Sequence, residues 1–366
     1  MSSKKDRFNY LDRYFMNIAI NLANNQKGLT GTNPSVGCVI VKNNEIISFA
    51  ATEINGRPHA ETIALNKNIK KNHGSTVYLT LEPCSHYGKT PPCTNALIKS
   101  KVKKVIYSIE DQDIRSFNKS NKILNSKKII TKSGLLKKET KNLYKNYIYT
   151  KKKKLPYIIG KLACSADFYI YKKKQFITNK YSRKVSHLFR YQNQAILTSY
   201  KTINNDNPKL NCRISGLTKF SPTKIIIDKD LKINLNSYIL KKKNYSKNII
   251  FHNSKNLKKI NKLKKIGTKL IFFKVEKDHY FDLQKILKKI YNIGIHNLLI
   301  ECGKSLTCKF ISKKLINEFY LFKSDKIIKK KHNMNILNIK RNLNTIYRNK
   351  NYINTYLDND ELIHYY

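Results

Sequence analysis

Residues 59–61 read HAE and residues 81–93 read LEPCSHYGKTPPC, and these two stretches decide how the first part of the chain folds and what it can bind. They supply one histidine, His59, and two cysteines, Cys84 and Cys93. Imidazole nitrogen and thiolate sulfur are ligands that zinc takes readily. Structural zinc usually has four protein ligands, whereas a site with three keeps its fourth position for water. The two stretches therefore predict a catalytic zinc site.

Glu61 follows His59 by two positions and is not required as a ligand. Zinc brings the pKa of a bound water molecule toward neutrality, and a nearby carboxylate can carry protons from that water to a leaving amine. Zinc nucleobase deaminases combine these same groups. We therefore predict a hydrolytic deaminase with Glu61 as its catalytic proton carrier. A purely structural zinc site, which is the alternative, gives Glu61 no role.

The composition is strongly basic, with 73 Lys and Arg against 23 Asp and Glu and a formal net charge of +50. Such a charge ordinarily indicates a polyanionic partner such as nucleic acid. Lysine dominates, however, and it is accompanied throughout by Asn, Ile and Tyr, whose codons are also rich in A and T. Compositional drift explains this pattern more simply, so we predict solvated surface charge and no nucleic-acid partner. A nucleic-acid deaminase with a basic binding domain stays open as an alternative.

The seven cysteines form no evident disulfide framework, which predicts a reducing compartment. No stretch approaches the ~20 apolar residues that span a bilayer, and the N-terminus lacks the apolar segment of a signal peptide. We therefore predict a cytoplasmic protein with no membrane partner. The cysteines outside the zinc set are predicted to be small buried hydrophobic residues: Cys38, Cys164, Cys212, Cys302 and Cys308.

At 366 residues the chain exceeds one typical core, and we predict two α/β domains, at 1–150 and 151–366. The first is a layered domain whose predicted elements are a helix over 10–22 capped by Asp6, a hairpin over 36–51 that turns at Asn43-Asn44, a helix over 59–68, a strand over 76–81, a helix from Cys93 and a strand over 102–109. A connecting helix is predicted within 135–155. In the second domain the predicted strands are 158–163, 194–199, 224–228, 248–252, 269–275 and 297–301, with an edge strand within 351–357.

Residues 32–41, TNPSVGCVIV, together with the two opening stretches closely resemble the bifunctional deaminase/reductase family of riboflavin biosynthesis. Cytidine and nucleic-acid deaminases usually separate their two cysteines by two residues, whereas this family has eight residues there, as this chain does. The resemblance implies a cytidine-deaminase-like three-layer domain followed by a dihydrofolate-reductase-like α/β domain. It implies zinc-dependent deamination of 2,5-diamino-6-(phosphoribosylamino)pyrimidin-4-one, then reduction of the ribosyl group to ribityl by NADPH.

The resemblance also implies roles for individual residues. In the first domain it implies that His59, Cys84 and Cys93 hold zinc and that Glu61 is catalytic, with Asn33 contacting the base and Lys89 facing the substrate phosphate. In the second domain it implies cofactor-binding residues at Ala163, Phe176, Thr202, Asp206, Gly303, Lys304 and Ser305. Besides Asn33, it implies substrate-binding residues at Lys174, Arg190, Leu210, Arg213 and Glu301.

Three of these residues allow more than one interpretation. Arginine is scarce in this chain, so Arg190 and Arg213 are interpreted as bidentate phosphate contacts, which lysine cannot reproduce. Ordinary surface charge is the alternative. Glu301 either caps the helix that follows Gly303 or contacts substrate. Gly303 itself supports a phosphate site independently, because a glycine between a strand and a helix lets the backbone and the helix N-terminus approach a pyrophosphate.

The sequence departs from the family pattern at several places. The family's Asp-Pro-Asn-Pro is replaced by residues 111–114, DQDI, and its Gly-Arg pair by Phe168-Tyr169. Phe176 replaces a tryptophan, and residues 322–325, FKSD, replace an apolar stretch. A deaminase with a decayed reductase domain is therefore a second alternative, and a non-catalytic zinc- or polyanion-binding protein is a third. The predicted partner is a phosphorylated small-molecule substrate, and the resemblance also allows a homo-oligomer.

Overall fold

The structure is a computed structural model of the chain and describes residues 8–170, 176–241, 247–277, 279–328 and 334–366. The chain divides into two compact units, Met1–Lys154 and Leu155–Tyr366. Each unit packs helices on a central sheet, so the α/β class predicted from the sequence is confirmed. Among the helices of the described residues, none is long and apolar enough to cross a membrane.

The first unit is built on a five-stranded sheet. Its elements in chain order are α1 (Tyr10–Asn25), β1 (Gly37–Lys42), β2 (Glu45–Ala51), α2 (Ala60–Lys67), β3 (Thr76–Leu81), α3 (Cys93–Lys99), β4 (Lys104–Ile109), α4 (Ser120–Ser126), β5 (Ile130–Ser133), α5 (Lys137–Leu143) and α6 (Lys145–Lys153). The strand order is β2-β1-β3-β4-β5, with β1 antiparallel to β2 and β3 and with β3, β4 and β5 parallel.

Alternation along the strands sends side chains of this sheet to two separate cores, because successive residues of a strand face opposite sides. Val39 and Val41 of β1 pack with Met16 of α1 on one face. Cys38 and Ile40 belong to the other core, to which α2 and α3 contribute. Helices therefore cover both faces of the sheet, and the predicted three-layer arrangement is confirmed.

Asp6, which was predicted to cap α1, lies outside the described residues, and the helix has a different cap. The N-cap is Asn9, whose side chain accepts a hydrogen bond from the backbone N–H of Asp12 at 2.7 Å, while the Asp12 carboxylate accepts one from the Asn9 N–H at 3.1 Å. This reciprocal pair satisfies two N–H groups at once and fixes the first turn. The hairpin turn at Asn43 and Asn44 is confirmed, since both residues are left-handed, with φ of 52° and 63°.

Gly37 lies where α1 crosses β1, and a Cβ atom on it would lie 1.8 Å from the Ala19 carbonyl oxygen. Because helix backbone cannot yield cheaply, Gly37→Ala is expected to lower the free energy of unfolding of the first unit by about 1–3 kcal/mol. Hydrogen exchange of peptides from α1 and β1 measures the loss. Gly88→Ala is the matched control, because its Cβ would meet only the end of the Arg57 side chain, at 3.4 Å. Equal stability of the two variants would contradict this close packing.

The second unit is built on a nine-stranded sheet. Its elements are β6 (Tyr157–Cys164), α7 (Lys180–Gln192), β7 (Ala195–Ser199), α8 (Tyr200–Asp206), β8 (Thr223–Ile227), β9 (Asn248–His252), α9 (Leu257–Lys265), β10 (Lys269–Phe272), α10 (Leu283–Asn292), β11 (Asn297–Ile300), α11 (Lys304–Ser312), β12 (Glu318–Lys323), α12 (Leu337–Ile346), β13 (Lys350–Tyr352) and β14 (Glu361–Tyr365). The order is β10-β9-β8-β7-β11-β6-β12-β14-β13. All strands from β10 to β12 in that order are parallel, so their carboxyl ends share one edge, where ligands of such sheets bind.

Several predicted elements differ in extent; the strands predicted at 269–275 and 102–109 are shorter, at Lys269–Phe272 and Lys104–Ile109, and two further elements differ more. Within 351–357 only the beginning is extended, because the edge strand β13 covers Lys350–Tyr352, and the strand that pairs with it, β14, lies farther along at Glu361–Tyr365. The connecting helix predicted within 135–155 is two helices, α5 and α6. They are divided at Tyr144, whose backbone has φ −95° and ψ 9°. Helical periodicity continues across such a break, so the sequence pattern does not reveal it.

Strand β12 begins with a buried charged residue, so a search of the sequence for runs of apolar residues does not reveal the whole strand. Glu318 is 3% exposed, and its carboxylate accepts hydrogen bonds from the hydroxyls of Tyr157 and Tyr320. The His364 ring pairs with the same carboxylate at 3.1 Å. These partners come from β6, β12 itself and β14, and they allow a carboxylate to lie inside the sheet.

Phe168 stands where the resembling family has glycine, and its backbone keeps a glycine-like conformation with φ of 64°. A left-handed backbone is unfavourable for a residue with a Cβ atom. Contacts compensate: the Phe168 carbonyl accepts from the Ile336 N–H at 2.8 Å, and the Lys340 ammonium lies 4.2 Å from the centre of its ring. The turn is therefore preserved at this position although the glycine is not.

Candidate active sites

His59, Cys84 and Cys93 converge in the first unit, and we call these three residues the metal set. Their ligand atoms all lie within 4.8 Å of one another. Nδ1 of His59 is 3.3 Å from Sγ of Cys93 and 3.7 Å from Sγ of Cys84. His59 is the N-cap of α2, Cys93 is the first residue of α3, and Cys84 follows the end of β3. One imidazole and two sulfurs at this spacing fit a zinc ion.

The two sulfurs of the metal set differ in their protonation. A hydrogen bond with the Cys93 side chain, reinforced by His59, lowers the pKa of Cys84 to about 4. The same bond and burial raise the pKa of Cys93. Because zinc binds thiolate, Cys84 is already in its binding form at neutral pH, and metal binding has to release the proton of Cys93.

Glu61 lies in the first turn of α2 and is 3% exposed. Its Oε2 atom has no hydrogen-bond partner among the residues that the structure describes. Burial raises the pKa of this carboxyl group, although His59 opposes the change. A buried oxygen without a partner is costly, and a carboxyl group with a raised pKa can both accept and return a proton near neutral pH. Its surroundings therefore fit a proton carrier beside the metal set.

Asn33 and Lys89 are the residues predicted to contact substrate in the first unit. Asn33 lies beside the turn before α2, and Lys89 lies between Cys84 and Cys93. The Asn33 amide donates to the Gly56 carbonyl at 2.8 Å, which fixes it beside the turn that enters α2. Lys89 is exposed on the loop that joins the two cysteines. Arg57 holds this loop, since its guanidinium donates to the Thr90 hydroxyl. The loop that carries Lys89 is thus attached, through Thr90 and Arg57, to the segment just before α2.

Residues 111–114, which replace the family's Asp-Pro-Asn-Pro, have partners within the first unit. Asp111 accepts a hydrogen bond from the Tyr147 hydroxyl at 2.8 Å. Asp113 forms an ion pair with Lys151 at 2.8 Å. Tyr147 and Lys151 both belong to α6. Hydrogen bonds from the Arg115 side chain, together with Lys151, hold the pKa of Asp113 far below its usual range. Both carboxylates are therefore used to attach the segment to α6, which argues against a substrate contact from either.

The second unit contains a cavity of about 1750 Å³ along the shared carboxyl edge of β6, β7, β8 and β11. This exceeds the roughly 300–1,000 Å³ of a typical small-molecule pocket. Lys174 lies outside the described residues. The cavity wall includes every other residue predicted to bind cofactor or substrate in this unit: Ala163, Phe176, Thr202, Asp206, Gly303, Lys304, Ser305, Arg190, Leu210, Arg213 and Glu301.

The start of α11 forms the middle of this wall. Gly303 is its N-cap and supplies no side-chain capping hydrogen bond, and the positive end of the helix dipole lies at the cavity wall. The N–H of Gly303 donates to the Thr202 hydroxyl at 3.2 Å, which ties the end of β11 to α8. Lys304 and Ser305 follow on the same turn. This arrangement fits the pyrophosphate of a dinucleotide.

Of the two interpretations of Glu301, the one in which it caps α11 is wrong, because Gly303 is the N-cap and the Glu301 carboxylate has other partners. That carboxylate accepts two hydrogen bonds from Arg190, both 2.8 Å long, and lies 4.0 Å from the Lys161 ammonium. The Arg190 guanidinium is therefore occupied by a carboxylate inside the protein. Arg213 is exposed, lines the cavity and donates from its guanidinium to the Asn211 side-chain oxygen at 2.8 Å.

Glu301, Arg190 and Lys161 form an ion cluster, and the cluster changes the pKa values of Glu301 and Lys161 for different reasons. Burial opposes ionisation of Glu301, yet Arg190 and Lys161 outweigh it and lower the pKa of Glu301 to about 2. Burial also lowers the pKa of Lys161, which Glu301 only partly offsets. Lys161 is thus the member of the cluster that gives up a proton most readily.

Lys161 and His187 line the cavity although the site predictions from the sequence do not include them. Lys161 is a lone charge on the buried strand β6, two positions before Ala163 and on the same face. Burial lowers the pKa of His187 to about 4, so it lines the cavity as a neutral ring. Its spacing from Arg183 and Arg190 on α7 is the signal that could have identified it, because residues three and four apart share a helix face.

The chain matches two protein-family models, the cytidine and deoxycytidylate deaminase zinc-binding region over residues 9–109 and the RibD C-terminal domain over residues 156–329. It is 32% identical over 321 residues to the riboflavin biosynthesis protein RibD of Aquifex aeolicus, covering 87% of this chain and 88% of that protein. It is 33% identical over 334 residues to the protein of the same name from Buchnera aphidicola subsp. Baizongia pistaciae, covering 87% of this chain and 88% of that one.

Solved structures agree over nearly the whole chain. Acinetobacter baumannii RibD, form 2, has a TM-score of 0.82 and 26% identity, covering 97% of this chain and 98% of that one. A diaminohydroxyphosphoribosylaminopyrimidine deaminase/5-amino-6-(5-phosphoribosylamino)uracil reductase from Thermotoga maritima has a TM-score of 0.78 and 27% identity, with the same coverage of 97% and 98%. The predicted pair of domain types, cytidine-deaminase-like and dihydrofolate-reductase-like, is therefore confirmed.

Proposed function

Because the chain belongs to the RibD family of riboflavin-biosynthesis enzymes, we propose that its first unit deaminates with the metal set and Glu61 and that the cavity of its second unit carries the reduction. The chain is a zinc-dependent deaminase and an NADPH-dependent reductase. It hydrolyses the exocyclic amine of 2,5-diamino-6-(phosphoribosylamino)pyrimidin-4-one and then reduces the ribosyl group to ribityl. The surroundings of individual side chains in each unit support a role for them in these steps.

In the first unit, zinc supplies a polarised water molecule as the nucleophile when it is bound. Glu61 accepts a proton on its unpaired oxygen and returns it to the leaving amine, which its buried position and raised pKa support. The Asn33 amide, fixed by Gly56, orients the pyrimidine ring. Lys89, on the exposed loop between the cysteines, faces the substrate phosphate.

In the second unit, NADPH supplies a hydride when it is bound. The N-terminus of α11 holds the pyrophosphate, and Thr202 fixes the turn at Gly303. Hydride transfer to the ribosyl carbon has to be balanced by a proton on the departing ring oxygen. Lys161 gives that proton, since it lines the cavity and its pKa is lowered by burial. Arg213 binds the substrate phosphate.

The observation that carries the proposal is the convergence of three zinc ligands beside a buried carboxyl oxygen without a partner among the described residues. Mass spectrometry of the products formed by the purified full chain tests it. Without NADPH the diaminopyrimidinone substrate should lose its amine and gain oxygen, and with NADPH the product should gain two further hydrogens. A substrate that keeps its mass in a zinc-loaded sample would contradict the deaminase assignment, and a product that stops at the first change would contradict the reductase assignment.

Removing zinc with a chelator is expected to abolish ammonia release and to leave reduction of the deaminated intermediate unchanged. The metal set belongs to the first unit, whereas the described lining of the cavity belongs to the second. Ammonia release and NADPH oxidation are measured on the same sample, and added zinc should restore the first. Simultaneous loss of both activities would show that the reduction also needs the metal.

The alternatives predicted from the sequence gain no support. A nucleic-acid deaminase does not account for the cavity in the second unit, and a decayed reductase does not account for the cofactor-binding residues that line it. All seven cysteines are free, which supports the proposed cytoplasmic location.

A further inference from the structure

Tyr144 connects the last helices of the first unit to the segment that carries Asn33. It lies between α5 and α6, is 3% exposed, and packs in the core to which α2 and α3 contribute. Its hydroxyl donates a hydrogen bond to the Ser35 carbonyl at 2.8 Å, across 109 positions of sequence. The matched deaminase zinc-binding region ends at residue 109. A residue beyond that region therefore contacts the segment next to the proposed base contact.

This contact belongs to a relay of hydrogen bonds that closes through the backbone of residues 35–37. The Gly37 N–H donates to the Thr80 hydroxyl at 3.0 Å, and the hydroxyl oxygens of Thr80 and Tyr144 lie 2.6 Å apart. Because the Tyr144 hydroxyl donates to Ser35, the Thr80 hydroxyl donates to Tyr144, and each hydroxyl gives and accepts one bond. Each of these residues is buried. A satisfied buried network of this kind favours one arrangement of the groups that it joins.

The segment that Tyr144 contacts also has other anchors. The Ser35 hydroxyl donates to the Ala23 carbonyl at 2.6 Å, and the Val36 N–H donates to the Thr52 hydroxyl at 2.9 Å. These bonds do not involve Tyr144, so they remain when its hydroxyl is removed. We therefore expect the segment to keep its fold without that hydroxyl, while the Ser35 carbonyl loses its partner and the local position changes.

Pro34 alone separates Ser35 from Asn33. A proline ring fixes one backbone angle, so a displacement of Ser35 is passed on to Asn33 through a stiff connection. The Asn33 amide is held from its other side by the Gly56 carbonyl, at 2.8 Å. The orientation of the Asn33 side chain therefore depends on both neighbours, the turn before α2 and the segment that Tyr144 contacts.

Two groups of this region respond to the charge of Glu61. Burial raises the pKa of Tyr144 most, Thr80 opposes this change, and Glu61 adds to it. Burial also raises the pKa of Cys38, the residue after Gly37, and Glu61 again adds to the change. Only a nearby charge has such an effect. The relay therefore lies on the side of the metal set where the proposed proton carrier lies.

We propose that Tyr144 is a positioning residue of the deaminase, whose hydroxyl holds the segment that presents Asn33 to the pyrimidine ring. The inference rests on the proposed contact between Asn33 and the ring. That contact exists both in the bound substrate and in the transition state, so its misplacement weakens binding more than it slows the reaction. The junction of α5 and α6 thereby becomes part of the base-binding site.

Steady-state ammonia release by the full chain tests the proposal. Tyr144→Phe removes the hydroxyl and keeps the ring, and Thr80→Val interrupts the same relay at its middle without changing α5 or α6. Both are also combined with Asn33→Ala. The matched control is Tyr78→Phe, which removes another buried tyrosine hydroxyl, one that donates to Asp12 of α1 at 2.7 Å. Zinc content and hydrogen exchange of β1 and β3 are measured for every variant.

Tyr144→Phe and Thr80→Val are each expected to raise the KM for ammonia release by about fivefold, the effect of one hydrogen bond of ordinary strength, and to change kcat by less than about twofold. Neither should raise KM further in the Asn33→Ala background, because the side chain that they position is then absent. Tyr78→Phe should keep the wild-type KM. Zinc content should be equal in all variants.

An unchanged KM in both relay variants would overturn the positioning role. An equal rise in Tyr78→Phe, or a full further rise in the Asn33→Ala background, would also overturn it, since the effect would then not act through Asn33. A wild-type KM in Asn33→Ala would overturn the base contact and this inference while leaving the deaminase in place. A zinc-loaded wild type that releases no ammonia would overturn the proposed function itself.

Discussion

Replacing Glu61 with glutamine is expected to lower the rate of ammonia release by about 10²–10⁴-fold, which is the contribution that general acid–base catalysis usually makes. The amide keeps the shape of the side chain but can neither take a proton from water nor return one to the amine. Because Glu61 is not a zinc ligand in the proposed site, the metal content of the variant should equal that of the wild type. Ammonia release and metal analysis on one preparation measure both quantities.

The matched control for this prediction is Glu45→Gln, which changes an exposed glutamate of β2 in the same unit. It should leave ammonia release unchanged. Reduction of the deaminated intermediate should be normal in both variants, because the described lining of the cavity contains only residues of the second unit. Undiminished ammonia release from zinc-loaded Glu61→Gln would refute the proton-carrier role.

Replacing Glu301 with glutamine is expected to destabilise the second unit by about 3–5 kcal/mol, the usual cost of removing one partner from a buried ion pair. Arg190 and Lys161 would then share the interior without their counter-charge. Hydrogen exchange of peptides from β11 and α7 measures the effect, since it reports on this unit without assuming that the whole chain unfolds in one step.

An exposed ion pair of the same sheet provides the control. Glu361 pairs with Lys323 at 3.3 Å, and its side chain is 48% exposed. Surface pairs contribute about 0–1 kcal/mol, so Glu361→Gln should change exchange very little. Equal effects of the two substitutions would mean that Glu301 is not the charge that balances this part of the cavity wall.

The same cluster predicts how stability depends on pH. The pKa of Glu301 is lowered from 4.5 to about 2, which corresponds to about 3 kcal/mol of stability in favour of the charged form. A carboxylate with a depressed pKa stabilises the fold above its unfolded pKa, so the contribution is complete at neutral pH. It is lost as pH falls from about 4.5 toward 2, and Glu301→Gln should remove this loss from an acid titration followed by hydrogen exchange of β11.

The metal set was predictable because each ligand is marked by its neighbours in the sequence. His59 precedes a helix, Cys93 follows two prolines at a helix start, and Cys84 comes just after an apolar strand. Local rules of this kind place a residue at the end of an element without knowledge of the rest of the fold. Capping is equally local but less unique, since Asp6 and Asn9 are both good N-caps, and only the acid at Asp12 favours the second.

The ion cluster could not be predicted, because its partners are distant in sequence. Arg190 and Glu301 are 111 positions apart, and they meet because α7 packs beside the end of β11. The scarcity of arginine indicated correctly that Arg190 has a specific role, but a carboxylate and a phosphate attract the same guanidinium. The buried Glu318 on β12 was hidden for a similar reason, since its tyrosine and histidine partners come from β6, β12 and β14.

Each of the two reactions has its described groups within a single unit: the metal set and Glu61 before residue 155, and the cavity after it. A lesion in one half therefore leaves the other half chemically competent. Two defective chains, one altered at Glu61 and one at Lys161, can complement each other in a mixture once the intermediate diffuses between them. Mutations that inactivate the first unit and mutations that inactivate the second should therefore fall into two complementation groups.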